Sequence, residues 1–576
     1  MFNNNISNLK QEQTLLENTS NKFTTYRLVV ALIIIFGIYK STLWTILPAG
    51  IFIIQVIKHN QLKKDIATLK LKQQINLEYI HRTTDEWQNF KDRGDDLANV
   101  NHAYAYDLDI IGSVSLFKKI SVCNTFFGRQ KLGQFLLNKN NLDDILARQQ
   151  AVSELSKDVD FIINLQTILR SNEEVKNDPS SWSNLSKETI EITGLVDILC
   201  KTSPIFIILL MFGNNFLKII AICLVILNLS VLMYKLPYIS HKLSVLRHAS
   251  YQIEPYLKAI KLISEYNFKA PYLIEKTSEI LNSQFGIITA LKKLDRIAAF
   301  ANITYQPILT IPLNGVLMWD FWVLKVCKKW QQDYAIKISE AISWLAEIEA
   351  LMSLATVSIV DDATFPVIDD RKVIEVKNLA HPLISPDKRI GNSFRMKDEI
   401  LIITGSNMSG KTTFLRTIGI NLVLAYAGGV VCAKSFTCFK FDIYTSMRTV
   451  DNLGTSTFHA EIKRMKLILE AQSSKLLFLI DEIFRGTNSK DRISGAKSII
   501  IALKRAGAMG LITTHDLEMC TLEEINGINN YHFTDYFDNE TMYFDYKLKI
   551  GMTTKTNAKY LLKMIGLEIE EETQEE

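Results

Sequence analysis

The run LIITGSNMSGKT at residues 401–412 decides how the second half of the chain is understood. Residues 401–404 are apolar or β-branched, as expected for a buried strand, and an apolar helical pattern follows at residues 414–424. Between them stands G-x-x-x-x-G-K-[ST]. In such a loop the glycines let backbone N–H groups surround a phosphate, and the next helix adds the positive end of its dipole. The strand–loop–helix context therefore predicts a nucleotide phosphate site.

The loop residues receive individual roles. Lys411 is expected to reach the β- and γ-phosphates, and the hydroxyl of Thr412 is expected to bind Mg²⁺. The predicted nucleotide-binding residues are Gly405, Ser406, Asn407, Met408, Ser409, Gly410, Lys411, Thr412 and Thr413. The predicted cofactors are ATP and Mg²⁺.

An acidic pair ends the apolar run at residues 476–480. Because the carboxyl ends of neighbouring parallel strands meet at one sheet edge, we expect Asp481 and Glu482 to lie beside the phosphate loop. We expect Asp481 to hold Mg²⁺ together with Thr412, and Glu482 to orient and deprotonate the attacking water. His515 ends another apolar run, and its predicted role is a catalytic contact with the γ-phosphate; the alternative is a purely structural histidine.

Composition limits the classes of protein. The chain has 576 residues, 48% of them hydrophobic and 22% charged, which supports a packed core and excludes wholesale disorder. The net charge of +4 does not by itself indicate a nucleic-acid-binding protein. Seven scattered cysteines form no C-x-x-C pair, so neither a disulfide framework nor a zinc site is predicted.

Two apolar blocks predict membrane insertion. The first, residues 28–57, would be about 45 Å long as one helix, against a hydrocarbon core of about 30 Å. It is either a tilted helix with Lys40 inside the bilayer or a hairpin that turns near residues 40–42. The second, residues 205–233, is interrupted at residues 213–215 and predicts another hairpin. Buried core helices are the alternative for both blocks.

Basic residues follow each block, which predicts that the remaining parts of the chain lie on the cytoplasmic side of the membrane. A third apolar stretch, residues 308–324, contains Pro312, Asn314 and Asp320 and is expected to be a buried helix of the soluble part.

Near residue 365 the pattern changes from long helical stretches to alternating strand and helix patterns, which indicate a mostly parallel sheet. The predicted fold class is therefore mixed, with an α-helical, membrane-associated core followed by an α/β domain. The predicted domains are a polar tail (1–26), a membrane hairpin (27–58), a helical linker (59–104), a helical core (105–355) with a membrane hairpin at 198–234, the α/β domain (365–565) and an acidic tail (566–576).

Four motifs in the second half resemble those of the ATPase domain of the MutS mismatch-repair family. They are GSNMSGKTTFLR at 405–416, GTSTFHAE at 454–461, DEIFRGTN at 481–488 and TTH at 513–515. The resemblance extends more weakly upstream, through DLDIIGSVSL at 107–116, RQQAV at 148–152, LMSLA at 351–355 and HPLI at 381–384.

This resemblance implies an ABC-type P-loop ATPase that works as a homodimer, possesses a composite ATP site and binds DNA. Ser456 matches the position that contacts the γ-phosphate from the partner subunit, although a serine there also suits a helix N-cap. Asn407 would contact phosphate or orient water. The chain departs from the mismatch sensors of the family because it contains no Phe-x-Glu wedge. It resembles the truncated, membrane-embedded MutS-like proteins of bacteria, which implies the bacterial inner membrane as its location, with the ATPase domain in the cytoplasm.

Three functions are compatible with these features. The first is a membrane-anchored MutS-like ATPase coupled to mismatched or branched DNA. In that protein, basic residues of the helical core would meet phosphates, although a solvated helix face explains them as well; they are Lys258, Lys261, Lys292, Lys293 and Arg296. The second is an ATP-driven membrane or scaffold protein that no longer binds DNA, with the lipid bilayer as its partner. An ABC transporter subunit is disfavoured because no LSGGQ-type signature is present.

Overall fold

The computed structural model describes residues 1–40, 43–99, 101–172, 194–281, 286–406, 408–447, 457–471, 473–484, 489–538 and 541–552. The chain forms two compact units. Unit 1 comprises Met1–Tyr79, Val122–Lys131 and Lys157–Met352, and unit 2 comprises Ile80–Ser121, Leu132–Ser156 and Ser353–Glu576. The predicted mixed fold, helical at the front and α/β at the back, is confirmed.

Helices dominate the first 360 residues. The described helices are α1 (Phe2–Tyr39), α2 (Ile46–Thr83), α3 (Leu116–Ile120), α4 (Phe126–Leu137), α5 (Leu142–Leu155), α6 (Val159–Arg170), α7 (Gly194–Met211), α8 (Asn215–Glu265), α9 (Pro271–Leu281), α10 (Ile287–Ile303), α11 (Pro307–Leu317), α12 (Trp319–Val360), α13 (Lys411–Ala427), α14 (Thr457–Glu470) and α15 (Ser489–Arg505).

In unit 1, α1 and α2 form an antiparallel pair. Gln73 Nε2 donates to Gln13 Oε1 at 2.8 Å, and near the other end the Arg27 guanidinium lies 5.5 Å from the ring centre of Phe52. Because α1 ends at Tyr39 and α2 begins at Ile46, the single tilted helix is wrong and the hairpin is correct.

The prediction of a polar tail over residues 1–26 is also wrong, since this segment is the first part of α1. The segment is polar in composition, but Phe2, Ile6, Leu9, Leu16 and Phe23 recur at helical spacing and are partly buried. It becomes helical here through contacts with the second half of α2, including the ion pair of Lys70 with Glu17 at 3.3 Å and stacking of Phe2 on Tyr79 at 5.0 Å.

The second apolar block also forms a hairpin. Helix α7 ends at Met211, and α8 begins at Asn215. Asn214 caps the first turn of α8, because its side-chain oxygen accepts a hydrogen bond from the N–H of Leu217 at 3.1 Å. Apolar side chains on both helices are exposed, among them Phe206 (55%) and Ile226 (57%).

Four of the described helices are long and apolar enough to cross a membrane, by length and composition: α1, α7, the first part of α8 and α12. They differ in how far protein covers them. The apolar window of α12 is 78% buried inside the protein, whereas those of α1, α7 and α8 are buried to 0%, 17% and 17%. We therefore treat α12 as a helix of the protein core.

The third apolar stretch departs from its prediction. It divides into α11 and the start of α12, and α11 exposes Ile308 and Ile311 to 84% and 64%. The prediction of a buried helix is therefore wrong for the outer face of α11.

Unit 2 contains three described sheets. The described strands are β1 (Val367–Asp369), β2 (Val373–Leu379), β3 (Asn392–Lys397), β4 (Ile400–Thr404), β5 (Ser435–Phe439), β6 (Asp442–Ser446), β7 (Leu476–Asp481), β8 (Met509–Thr513), β9 (Ile528–His532), β10 (Asp535–Asp538), β11 (Thr541–Phe544) and β12 (Lys549–Ile550). The six-stranded sheet has the order β12-β9-β4-β8-β7-β6 and is parallel except for β12. The others are β1-β5-β2-β3 and the hairpin β10-β11.

The strands β4, β7 and β8 are buried at every position, as sequences covered on both faces require. One face packs on a cluster that includes Ile402, Phe478, Ile500 and Ile512. This rigid core fixes the strand ends that follow.

The division into units differs from the predicted domains, because residues 80–121 and 132–156 belong with the α/β region rather than with a single helical core over 105–355. Asp107 shows the cause. Its carboxylate accepts hydrogen bonds from Thr445 Oγ1 at 2.7 Å and from the N–H of Met447 at 3.1 Å. The predicted acidic tail, 566–576, lies outside the described residues.

Candidate nucleotide site

Strand register brings the predicted site residues to one sheet edge. Ile403 of β4 pairs with Thr513 of β8, and Thr513 pairs in turn with Asp481 of β7. The loop after β4, the acidic pair after β7 and the histidine after β8 therefore leave the sheet side by side. The sequence predicted this convergence from the ends of the apolar runs.

The phosphate loop has the backbone that its glycines were expected to provide. Gly405 and Gly410 have φ values of 146° and 99°, which are strained for residues with a Cβ atom. A Cβ at Gly405 would lie 2.9 Å from Ser409 Oγ, and one at Gly410 would lie 3.0 Å from the ring of Tyr546. Met408, at φ 71°, is 85% exposed, and Asn407 lies outside the described residues.

Lys411 is folded into the loop. Its Nζ donates to the carbonyl oxygens of Gly405 at 2.7 Å and Ser406 at 2.8 Å, and the residue is 5% exposed. Ser409 Oγ donates to the carbonyl of Ser406 at 2.9 Å, whereas Ser406 Oγ is buried without a hydrogen-bond partner among the described residues. An orphaned hydroxyl in this position fits a loop that surrounds an anion.

Thr412 and Asp481 meet as predicted for a metal site. Thr412 Oγ1 donates to Asp481 Oδ2 at 2.9 Å, and Thr513 Oγ1 donates to Asp481 Oδ1 at 2.5 Å. Among the described residues no group of three or more His, Cys, Asp or Glu side chains is suited to a metal ion. Two oxygen donors fit Mg²⁺, which usually keeps several waters and takes further oxygens from phosphate.

Glu482 and His515 form a pair. Glu482 Oε1 contacts His515 Nε2, while His515 Nδ1 lies 3.1 Å from the carbonyl oxygen of Gly405. Both ring nitrogens thus face oxygen acceptors, and a doubly protonated imidazole can donate to both. Glu482 has φ 58°, a left-handed conformation that is uncommon for residues other than glycine.

A cavity adjoins the loop that the sequence did not reveal. It has a volume of about 450 Å³, and its wall includes Lys411, Thr412, Phe533, Tyr546 and His381. The pKa of His381 is lowered to about 3 by burial and by the nearby charges of Arg416 and Lys119. A neutral imidazole, two aromatic rings and the phosphate loop suit a planar, polar ligand such as a nucleotide base.

The cavity residues come from parts of the chain far from the loop, so spacing gave no signal for them. The HPLI segment at 381–384 was noted for its family resemblance only, and Tyr546 follows the hairpin β10-β11. Arg492 is a second residue that the sequence did not indicate. It forms two hydrogen bonds with Asp516, at 3.0 and 2.8 Å, next to His515.

The structure does not place every predicted residue. Ser456 and residues 485–488 of the DEIFRGTN motif lie outside the described residues. Thr413 is present in the cavity wall.

Three of the basic residues considered for DNA contact in unit 1 have partners near them. Lys258 pairs with Glu254 at 2.7 Å, Lys261 with Glu265 at 3.7 Å, and Lys293 donates to the hydroxyl of Tyr334 at 2.7 Å. Lys292 and Arg296 are exposed. The pairings favour a solvated helix face for the first two lysines.

Comparison with known proteins gives one family. Residues 401–569 match the family profile described as MutS domain V. The DNA mismatch repair protein MutS of Carboxydothermus hydrogenoformans is 34% identical over 253 residues, which is 42% of this chain and 29% of that protein. MutS of Persephonella marina is 25% identical over 523 residues, 82% of this chain and 60% of that protein. MutS protein homolog 4 of Mus musculus is 32% identical over 253 residues, 40% and 26% of the two chains.

The chain spans only 29% and 60% of the length of the two bacterial relatives. The matched region nevertheless contains the phosphate loop, the acidic pair and His515, on strands whose order places them together. These matches identify residues 401–569 as a MutS domain V.

Proposed function

We propose that the chain binds MgATP and hydrolyses it. The observation that carries this proposal is the convergence of Lys411, Thr412, Asp481, Glu482 and His515 at one edge of the six-stranded sheet. Lys411 and the loop N–H groups bind the phosphates. Thr412 and Asp481 supply oxygen ligands to Mg²⁺, which neutralises charge on the phosphates when bound.

Glu482 is the proposed general base, and His515 is its positioning partner as well as the proposed γ-phosphate contact. The contact between their side chains fixes the direction of the carboxylate, and the 3.1 Å approach of His515 Nδ1 to the carbonyl of Gly405 ties the pair to the loop. The carboxylate orients a water and takes its proton as the water attacks the γ-phosphate.

The cavity beside the loop is the proposed site of the base and ribose. The ring of Tyr546, 43% exposed, offers a stacking surface, and His381 is held neutral. Family resemblance supports a dimer in which Ser456 of each subunit completes the partner's site.

The test of the catalytic proposal is the substitution Glu482→Gln in the full-length protein. We expect ATP turnover to be abolished while the affinity for nucleotide persists, because the amide keeps the shape and loses the basicity. The exposed Glu518→Gln, after the neighbouring strand β8, is the control and should retain activity. Full turnover in Glu482→Gln would show that another group is the base.

We further propose that the hairpins at 27–58 and 198–234 anchor the protein in the bacterial inner membrane, with unit 2 in the cytoplasm. Exposed apolar side chains of this extent are unusual for a soluble surface, and those on the first hairpin include Ile35 at 63% and Trp44 at 81%. The polar second halves of α2 and α8 leave the apolar region at Lys58 and Lys235.

Two measurements test the anchor. In alkaline carbonate extraction of bacterial membranes, the full chain should remain with the pellet. Protease added to inverted membrane vesicles should cleave unit 2, while protease outside intact spheroplasts should not. Release of the chain by carbonate would contradict the anchor, and cleavage in spheroplasts would contradict the orientation.

DNA binding is proposed from the relatives, two of which are named DNA mismatch repair proteins. The alternative is an ATP-driven membrane or scaffold protein without DNA, and the internal pairing of Lys258 and Lys261 favours it. Binding of the detergent-solubilised protein to matched, mismatched and branched duplexes, with and without ATP, distinguishes the two. Binding that weakens steeply with salt supports DNA as the ligand, and its absence at low salt supports the alternative.

A further inference from the structure

Helix α11 is too short to cross a bilayer, although it is apolar and partly exposed. Its 11 residues extend about 16 Å, roughly half of the hydrocarbon core. Ile308 and Ile311 on its outer face are 84% and 64% exposed, whereas Asn314 is 1% exposed. Helix α11 therefore has one face that packs against protein and one apolar face that no described part of the chain covers.

The direction of α11 follows from two contacts with α8. Arg247 Nε of α8 donates to the carbonyl of Ala301 at 2.9 Å, just before α11, and Asn228 Nδ2 donates to the carbonyl of Gly315 at 2.8 Å, near its end. The contact before the start of α11 involves the later residue of α8, and the contact near its end involves the earlier one. The two helices therefore run antiparallel. Helix α11 thus points from the charged part of α8 toward the tip of the hairpin at residues 212–214.

Asn228 gives the depth that α11 reaches. It lies 10 residues after Lys218 and 7 before Lys235 in one continuous helix. At 1.5 Å per residue these separations are about 15 Å and about 10 Å, so Asn228 lies near the middle of the apolar stretch. The end of α11 reaches the same depth because Gly315 is bonded to Asn228.

A helix that ends inside an apolar layer leaves carbonyl oxygens without intrahelical partners. Asn228 supplies a hydrogen-bond donor to one of these carbonyl oxygens. It is fully buried, and its amide donates to the carbonyl of Gly315 and to Ser203 Oγ of α7, the latter at 3.1 Å. A Cβ at Gly315 would lie 3.0 Å from Val225, so the small residue permits the close approach.

Side chains also form hydrogen bonds at the turn after α11. Met318, at φ 49°, ends the helix, and the N–H of Asp320, in the first turn of α12, donates to Asn314 Oδ1 at 3.0 Å. Asn314 Nδ2 donates back to Asp320 Oδ2 at 3.0 Å, and Thr304 Oγ1 donates to Asp320 Oδ1 at 2.7 Å. The N–H groups of Met318 and Asp320 and the carbonyl of Gly315 are thus bonded within protein, as non-helical backbone at membrane depth requires.

We propose that residues 307–318 enter the bilayer as a re-entrant segment, clasped to the hairpin by Asn228 and facing lipid through Ile308 and Ile311. This proposal rests on the membrane insertion of the hairpin at 198–234. Lipid is the occupant of the exposed face because that face continues the apolar surface of the same bundle, where Phe206 and Ile226 are 55% and 57% exposed.

Spin labelling of the full chain in lipid vesicles tests the segment. Single cysteines at Ile311, at Phe206 in the hairpin and at Ile336, 77% exposed on the polar part of α12, each receive a nitroxide. The exposed Cys223 is replaced by serine in all samples, and the parent without an added cysteine measures background labelling. Relaxation by oxygen reports lipid, and relaxation by a water-soluble nickel chelate reports water.

We expect the Ile311 label to resemble the Phe206 label, with high oxygen and low nickel accessibility, and the Ile336 label to show the reverse. A water-accessible Ile311 label beside a lipid-accessible Phe206 label would overturn the re-entrant segment and leave the anchor intact. Water accessibility at both positions would overturn the anchor as well. A label at Ile311 that neither agent reaches would indicate a protein contact and would also overturn the proposal.

A second experiment tests the hydrogen bonds by which Asn228 holds the segment. Asn228→Leu removes both amide hydrogen bonds at similar side-chain size, and we expect the Ile311 label to become at least twofold more mobile while the Phe206 label is unchanged. Ser230→Ala is the control, since its hydroxyl bonds only to the carbonyl of Ile226 on the same helix. Equal mobility in Asn228→Leu and the parent would show that Asn228 does not hold the segment.

Discussion

Thr412 Oγ1 donates a hydrogen bond of 2.9 Å to Asp481 Oδ2, across 69 residues of sequence and from the helix after β4 to the end of β7. Strand β8 lies between these strands, and Thr513 at its end donates to the other oxygen of the same carboxylate at 2.5 Å. Two hydroxyl groups, one on each oxygen, thus orient the carboxylate of Asp481. Such fixed oxygen donors suit a hard cation.

The first prediction concerns Asp481→Asn. The amide can accept from one hydroxyl and donate to the other, so we expect the fold to persist. The loss of charge should raise the Mg²⁺ concentration for half-maximal ATP turnover by about 10- to 100-fold. Magnesium titrations of turnover measure this change, and nucleotide binding in EDTA is the control that should not change. An unaltered magnesium requirement would remove Asp481 from the metal site.

The second prediction concerns the backbone of the phosphate loop. Gly410→Ala and Gly507→Ala both place a Cβ at positive φ, 99° and 71°, which should cost about 1 to 2 kcal/mol of stability in each case. Only Gly410→Ala also brings the Cβ to 3.0 Å from Tyr546. We expect it alone to weaken nucleotide binding, by about tenfold or more, which corresponds to about 1.4 kcal/mol.

Titration with a fluorescent ATP analogue, with melting temperatures beside it, separates the two effects. A Cβ at Gly507 meets no atom within 4 Å, so the Gly507→Ala variant carries the backbone strain without the steric contact. Equal loss of affinity in both variants would assign the effect to stability rather than to the loop.

The nucleotide site was the most predictable part of the structure, because its residues are local to strand ends. An apolar run that ends in Asp481 or His515 needs only a parallel sheet to bring those residues together, and the loop motif itself indicates such a sheet. The strand β4, Ile400–Thr404, begins one residue before the apolar run at 401–404 that predicted it.

The parts that could not be predicted depend on contacts between distant segments. The segment 1–26 is mostly polar with only a narrow apolar stripe, and its helix pairs with α2 through contacts such as that of Gln13 with Gln73. Tyr546 reaches the phosphate loop from beyond β11, and no spacing rule connects it with Gly410. Residues 80–121 join unit 2 through contacts such as those of Asp107 with Thr445 and Met447, and in sequence Asp107 looks like an ordinary surface carboxylate.

The third prediction concerns that carboxylate. Asp107 is 7% exposed and accepts hydrogen bonds from Thr445 and Met447, and Arg464 lies 3.7 Å away. Asp107→Ala leaves these donors without their acceptor, which should destabilise unit 2 by about 3 kcal/mol. Limited proteolysis of unit 2 should become faster in proportion. Asp143→Ala, at an exposed or half-exposed position in α5, is the control, and equal proteolysis of the two variants would contradict the role of Asp107.

Glu349 of unit 1 is a fully buried carboxyl group, in the part of α12 that lies inside protein. It accepts hydrogen bonds from the N–H groups of Asn124 at 2.6 Å and Thr125 at 3.2 Å and from the Thr125 hydroxyl, at the start of α4. Burial nevertheless dominates and raises the pKa of Glu349 to about 7 from 4.5, against the opposing effects of these hydrogen bonds and of Arg170.

The fourth prediction follows from the sign of this shift. Between pH 4.5 and about 7 the folded protein keeps a proton that the unfolded chain releases, so the contribution of Glu349 to stability falls as pH rises. It is fully present below pH 4.5 and lost above about pH 7. In Glu349→Gln this contribution no longer titrates. Hydrogen exchange at the amides of α4 should therefore depend less on pH than in the parent, after correction for the intrinsic exchange rate. The exposed Glu340→Gln on the same helix should retain the parent dependence. If Glu349→Gln keeps the pH dependence of the parent, a group other than Glu349 causes the change of stability in this range.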